Sequence, residues 1–150
     1  MILSASGIKK YVRAAGFVYL SDNSITIYDY LHLQMPLTVE SKSLLPIVLD
    51  PNKKVRNIIN NVYGHWSRSV KTADGYKLIV YNVKGIFTTQ LFDFKKDFWE
   101  MHIHANEKNY SAKVQELRVI LKKEMTTADD DLNIELPDCG RKPNQKSYGS

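Results

Sequence analysis

The sequence predicts an α+β fold, in which helices cover an antiparallel sheet. Two observations support this class. Short segments of alternating apolar and polar residues follow one another in the middle of the chain, and Asp74-Gly75 between two of them is a strong hairpin signal. Segments with helical apolar spacing lie on both sides of them. We therefore expect an N-terminal hairpin, a four-stranded meander, about three helices and an extended C-terminal tail.

The first predicted helix ends at Gly16, a residue suited to a helix C-terminus. Its apolar stripe consists of Ile8, Tyr11, Val12 and Ala15. Residues 17–20 and 25–30 are then predicted as the two strands of a hairpin. A second helix is predicted from Asp50 to Gly64, because Asp50 is a good N-cap and Pro51 suits the first helical position. Its stripe consists of Val55, Ile58, Ile59 and Val62.

Four strands and one helix are predicted after residue 65. The strands of this meander are residues 66–72, 76–83, 86–92 and 98–105. In the fourth strand, alternation predicts one buried face and one polar face. The buried face would hold Trp99, Met101, Ile103 and Ala105, and the other face Phe98, Glu100, His102 and His104. The last helix is predicted from Glu107 to Met125, with the stripe Tyr110, Val114, Leu117 and Leu121.

The charge distribution predicts a single basic domain, residues 1–125, followed by a polar tail, residues 126–150. The tail contains five acidic and three basic residues, so the preceding 125 residues have a net charge of +7. A body this basic favours a polyanion, either nucleic acid or an acidic protein surface. Because the tail has few apolar residues, we expect it to bind a protein partner, to mediate self-assembly or to wrap around the domain.

The basic residues predicted to contact nucleic acid are those of the second helix, the meander and the last helix. They are Lys53, Lys54, Arg56, Arg68, Lys71, Lys113, Arg118 and Lys122. The single Cys139 excludes an internal disulfide, and no apolar stretch approaches membrane-spanning length. These features predict a cytoplasmic protein without a membrane partner.

Glu100, His102 and His104 are the candidate residues for chemistry, because carboxylate and imidazole groups on one strand face could bind a metal ion. The His-x-His pattern also invites comparison with cupins, although the following Glu107 comes after only two residues. Residues 101–105 resemble the His-hydrophobe-His motif of replication initiators, and residues 110–113 resemble their Tyr-x-x-Lys motif. That resemblance implies Tyr110 as a nucleophile, but only five residues separate the two motifs here.

Together these features predict a non-enzymatic binding protein that needs no cofactor. It would contact nucleic acid, act as a subunit of a larger assembly, or both, and a phage-particle or replication-complex component would fit. The alternative is a small nuclease or metal-dependent enzyme that uses His102 and His104 as general acid and base or as ligands. The choice between DNA and RNA stays open.

Overall fold

The structure is a computed structural model that describes residues 2–35 and 38–130. It confirms the α+β class: a four-stranded antiparallel sheet in the order β1-β2-β3-β4 is combined with helices. The elements are α1 (Asp22–Tyr30), α2 (Leu45–Leu49), β1 (Ile58–Tyr63), β2 (Ser67–Thr72), β3 (Tyr76–Val83), β4 (Ile86–Asp93), a 3₁₀ turn (Lys108–Tyr110) and α3 (Ser111–Thr127). Almost all of the predicted tail lies outside the described residues.

The chain forms two compact units, Met1–Ile59 and Asn60–Ser150, and the division falls within β1. The expected organisation into a domain of residues 1–125 and a separate tail stays a prediction. No helix within the described ranges is both long and apolar enough to cross a membrane.

The first unit contains α1 and α2, and here three local predictions are wrong. Residues 4–15 form turns and irregular chain, and Tyr11 is fully exposed with a φ of +61°, so the predicted stripe buries nothing. The expected hairpin is replaced by α1. The buried residues of α1 are Asp22, Ile25 and Thr26, whose spacing places them on one helical face. They pack with Leu44 and Ile47, which are also buried.

The helix predicted over residues 50–64 is also absent. Residues 50–57 form turns and irregular chain, and Ile58–Tyr63 is strand β1 at the edge of the sheet. Pairing with β2 supplies backbone hydrogen bonds that the helical spacing of the apolar residues could not reveal.

The second unit is built around the predicted meander, and three of its four strands are confirmed. The antiparallel register aligns Val70 of β2 with Leu78 of β3 and Leu78 with Leu91 of β4. All three side chains are fully buried. α3 packs on β2 and β3, and Val114, Leu117 and Leu121 are buried, which confirms three of the four residues of the predicted stripe. The fourth, Tyr110, lies in the 3₁₀ turn before the helix. This row of apolar contacts is the core of the unit.

The fourth predicted strand, residues 98–105, is wrong. β4 ends at Asp93, and Asp97–Ala105 is a loop in which Glu100 has a φ of +56°. Trp99 and Met101 were expected in the core but are 79% and 75% exposed. β1 occupies the remaining place in the sheet.

Candidate functional site

A group of polar and aromatic side chains in contact lies where β3 begins and β4 ends. Each strand has eight residues, and the register pairs Tyr76, at the start of β3, with Asp93, at the end of β4. The 3₁₀ turn before α3 places Tyr110 beside them. We call Tyr76, Asp93, Lys96, His104, Tyr110 and Lys113 the tyrosine cluster.

Tyr110 is the centre of this cluster. Its hydroxyl donates a hydrogen bond to Asp93 Oδ2 at 3.3 Å and accepts one from Lys96 Nζ at 2.9 Å. Its ring stacks on the imidazole of His104 with centroids 4.6 Å apart and meets the Tyr76 ring edge-on at 6.4 Å. Contacts on every side fix the position of the phenol and, through it, of the Lys96 ammonium.

His104 is oriented by two contacts. Its backbone N–H donates to the Leu91 carbonyl at 2.9 Å, and its Nδ1 lies 2.6 Å from Glu107 Oε1. Because a carboxylate oxygen only accepts hydrogen bonds, Nδ1 carries a proton and donates it to Glu107 Oε1. The side chain is only 15% exposed. The arrangement holds the imidazole in a defined orientation next to a phenol.

The charges of the cluster are largely paired. Lys113 Nζ lies 3.0 Å from Asp74 and 2.6 Å from Glu116, and it sits over the Tyr76 ring at 5.0 Å. Burial raises the pKa of Tyr76, and the nearby Asp93 carboxylate raises it further, so this phenol stays protonated.

Lys96 is the exposed cation of the cluster. Its side chain is 70% exposed and lies 3.7 Å from Asp93. The hydrogen bond to Tyr110 raises the pKa of Lys96, so the ammonium remains charged. Chemically, the cluster can bind an anion at Lys96 beside the imidazole of His104.

The structure brings two of the predicted chemical residues together and separates the other two. His104 and Tyr110 are in contact, whereas Glu100 binds Lys77 Nζ at 2.8 and 3.1 Å. His102 Nδ1 lies 3.5 Å from Asp97. In residues 2–35 and 38–130, no three His, Cys, Asp or Glu side chains are grouped to hold a metal ion, so the proposed ligands Glu100, His102 and His104 do not form a site.

Most residues predicted to contact nucleic acid serve internal contacts instead. Arg56 binds Asp22, Arg68 binds Asp130, and Lys71 lies over the Phe94 ring at 3.5 Å.

Of the remaining five residues predicted to contact nucleic acid, two make internal contacts and three are exposed. Arg118 is 8% exposed and donates to Thr89 Oγ1 at 3.2 Å, and Lys113 pairs with the two carboxylates described above. Lys53, Lys54 and Lys122 are exposed. The basic count of the sequence therefore overstates the cationic surface.

Sequence reasoning missed Tyr76, Asp93 and Lys96 as members of the site. A usable signal was present, because two eight-residue strands joined by the tight turn Lys84-Gly85 must place the first residue of one opposite the last residue of the other.

Comparison with known proteins identifies the fold. No protein-family model and no curated protein matches the sequence. Among solved structures, a Bacteroides thetaiotaomicron protein assigned as a sulfatase is similar with a TM-score of 0.60 and 26% identity, over 71% of this chain and 24% of that chain. A 2-O glycosaminoglycan sulfatase matches with a TM-score of 0.60 and 22% identity, over 84% of this chain and 29% of that one.

A third structure shows a protein with its substrate D-glucosamine-2-N,6-O-disulfate. It has a TM-score of 0.60 and 20% identity, over 73% of this chain and 24% of that chain. This chain therefore spans about a quarter of the length of the proteins it resembles.

These similarities correct the predicted function. The neighbours are sulfatases, which contradicts a non-enzymatic nucleic-acid-binding protein or assembly subunit. Net positive charge misled the prediction because it favours any polyanion and does not identify which one. The nuclease alternative is not supported either, because its histidine strand face does not exist.

Proposed function

We propose that this chain contributes a sheet-and-helix unit to a sulfatase that acts on sulfated carbohydrates. The observation that carries the proposal is the structural match to a sulfatase-assigned protein at 26% identity over 71% of the chain. Another neighbour, a 2-O glycosaminoglycan sulfatase, matches over 84% of the chain.

Within this function, the tyrosine cluster binds the sulfate group of the substrate. A sulfate ester is anionic throughout the physiological pH range, so its recognition requires cationic or N–H donors. Lys96 presents an exposed ammonium whose position is set by Tyr110 at 2.9 Å. The imidazole of His104 stacks on the same phenol and adds a hydrogen-bonding group for the sugar that carries the sulfate.

Sulfate release tests the function. The purified protein, in the form in which its cell produces it, is incubated with D-glucosamine-2-N,6-O-disulfate and with sulfated glycosaminoglycan disaccharides. Free sulfate is measured by ion chromatography. We expect sulfate release from at least one of these substrates, and its absence from all of them would contradict the proposed function.

A matched pair of lysine variants tests the role of the cluster. Lys96→Met keeps the aliphatic stem but removes the charge, and we expect it to raise KM about fivefold or more because a charge-assisted hydrogen bond is lost. Lys122→Met, an exposed lysine on α3, is the control and should change KM less than about twofold. Equal KM values in the two variants would place sulfate recognition outside the cluster.

A further inference from the structure

The loop after β4, residues 95–103, exposes its aromatic side chains and partly buries its carboxylates. Its two carboxylates, on Asp97 and Glu100, are half-buried. The exposed side chains are all apolar or basic: Lys95, Lys96, Phe98, Trp99, Met101, His102 and Ile103. A surface loop ordinarily exposes its acids and buries its aromatic rings.

The two carboxylates hold the loop in this form. Asp97 Oδ2 accepts the backbone N–H of His102 at 2.7 Å, and the backbone N–H of Glu100 donates to the Asp97 carbonyl at 3.3 Å. The Glu100 carboxylate binds Lys77 of β3 through both oxygens, at 2.8 and 3.1 Å. Glu100 also has a left-handed φ of +56°, a conformation that costs energy in a residue with a side chain. These contacts give the loop a defined shape.

The aromatic side chains of the loop are arranged before any partner arrives. Phe98 and Trp99 pack edge to face with centroids 5.1 Å apart, and they remain 70% and 79% exposed. Met101 and Ile103 add further exposed apolar surface. Exposed apolar side chains concentrated in one short loop are typical of an interaction site.

We propose that the 95–103 loop is a binding site for a sulfated carbohydrate. The apolar face of a sugar ring would stack on Trp99 and Phe98, and its sulfate groups would pair with the exposed ammonium of Lys95. The withdrawal of Asp97 and Glu100 removes the negative charge that would repel such a ligand. This inference rests on the proposed function, since it takes the same substrate class and adds a second contact surface for it.

An anionic membrane surface has the same combination of negative charge and apolar groups. The sugar is favoured here because the loop is closed by its own hydrogen bonds and its rings are already packed, which suits a ligand of defined shape. The glycosaminoglycan sulfatases among the structural neighbours favour the same ligand class.

Fluorescence of Trp99 tests binding directly. The chain has two tryptophans, so Trp66→Phe leaves Trp99 as the reporter. The full chain is titrated with a heparin-derived hexasaccharide, with its desulfated counterpart and with phosphatidylserine-containing vesicles. We expect a saturable change in emission with the sulfated hexasaccharide and a much weaker response to the desulfated one.

Variants then locate the contact by isothermal titration calorimetry. Trp99→Ala should weaken hexasaccharide binding about tenfold, and Lys95→Met about threefold, because stacking and charge pairing are lost. Val119→Ala, at a 70% exposed apolar position on α3, is the control and should leave the affinity unchanged. Since Trp99 is exposed, its replacement should also leave the far-UV circular dichroism unchanged.

Two results would overturn the inference. Equal affinity of Trp99→Ala and the unmodified chain for the hexasaccharide would do so, while sulfate release would continue to support the proposed function. Binding to the vesicles in place of the hexasaccharide would assign the loop to a membrane surface. Hexasaccharide binding that depends on Trp99, together with a failure to release sulfate from any substrate, would instead support the loop site and contradict the enzymatic proposal.

Discussion

Asp22 connects several segments of the first unit. Its side chain is fully buried and binds Arg56 through both oxygens, one of them 2.9 Å from Nη2. It also accepts the backbone N–H of Tyr19 at 2.7 Å and that of Lys42 at 3.0 Å. One carboxylate thus joins the start of α1 to three other parts of the same unit.

Replacing Asp22 should destabilise the chain strongly. Asp22→Ala leaves the Arg56 guanidinium, 9% exposed, without its carboxylate, and breaking a buried pair costs about 3–5 kcal/mol. Asp50→Ala is the control, since the Asp50 carboxylate accepts an exposed hydrogen bond from the Asn52 N–H, and its loss should cost less than about 1 kcal/mol. Urea unfolding followed by circular dichroism measures both values. Similar losses in the two variants would show that the buried pair contributes little.

The lowered pKa of Asp22 also makes the stability of the chain sensitive to acid. Burial alone would raise the pKa of Asp22, but the hydrogen bonds from Arg56, Lys42 and Tyr19 outweigh it and hold the pKa below its usual range. The contribution of the Asp22 carboxylate to stability is therefore complete above its unfolded-state pKa of about 4. It is lost as pH falls through the lower folded-state pKa.

The stability advantage of the unmodified chain over Asp22→Asn should accordingly be constant between about pH 5 and 7 and narrow below about pH 4. Urea midpoints measured from pH 3 to 7 test this expectation. An advantage that grew towards acid pH would show that the pKa is raised, not lowered.

At the scale of the element, α3 shows how a short stripe determines packing. Leu117 is fully buried against the sheet, and Val119, two residues later on the same helix, is 70% exposed. The helical period of 3.6 residues places these two side chains on different faces.

Leu117→Ala should therefore lower the free energy of unfolding by about 2–5 kcal/mol, because it leaves a cavity in the core. Val119→Ala should change it by less than about 0.5 kcal/mol. Thermal and urea denaturation of the two variants provide the comparison. If the two variants lost equal stability, the assigned face of α3 would be wrong.

At the scale of the whole molecule, the end of α3 decides where the chain can be shortened. Arg68 of β2 is 5% exposed, and it binds both carboxylate oxygens of Asp130 and the Gly64 carbonyl. A chain ending at Met125 loses this carboxylate and the last residues of α3, which runs to Thr127.

A chain ending at Asp130 should thus be more stable than one ending at Met125, by about 3 kcal/mol, because the shorter chain leaves a buried guanidinium without its carboxylate. Asp130→Asn in the longer chain should reproduce much of this loss. Asp129→Asn is the control, because Asp129 is exposed with a φ of +50°, which asparagine tolerates. Equal stability of the two truncated chains would show that the Arg68 pair is not needed.

Much of the second unit could be predicted from local pattern. Alternation and the Asp74-Gly75 turn predicted β2, β3 and β4, and a stripe of apolar residues predicted α3. In each case a covering layer lies close in the chain, so the pattern and the burial agree. His104 and Tyr110 were also identified as candidates, because their chemistry is a property of the residues themselves.

Only the tertiary structure decided which of the patterned segments pair with a strand or pack against another element. Residues 98–105 alternate well but lie beyond the end of β4 as a loop, whereas Ile58–Tyr63, with helical spacing, becomes a strand beside β2. The use of Arg56 and Arg68 in internal ion pairs, like the assembly of Tyr76, Asp93 and Lys96 around Tyr110, depends on contacts between residues distant in sequence. Periodicity specifies which face of an element is apolar, but pairing and burial are set by the other elements that cover it.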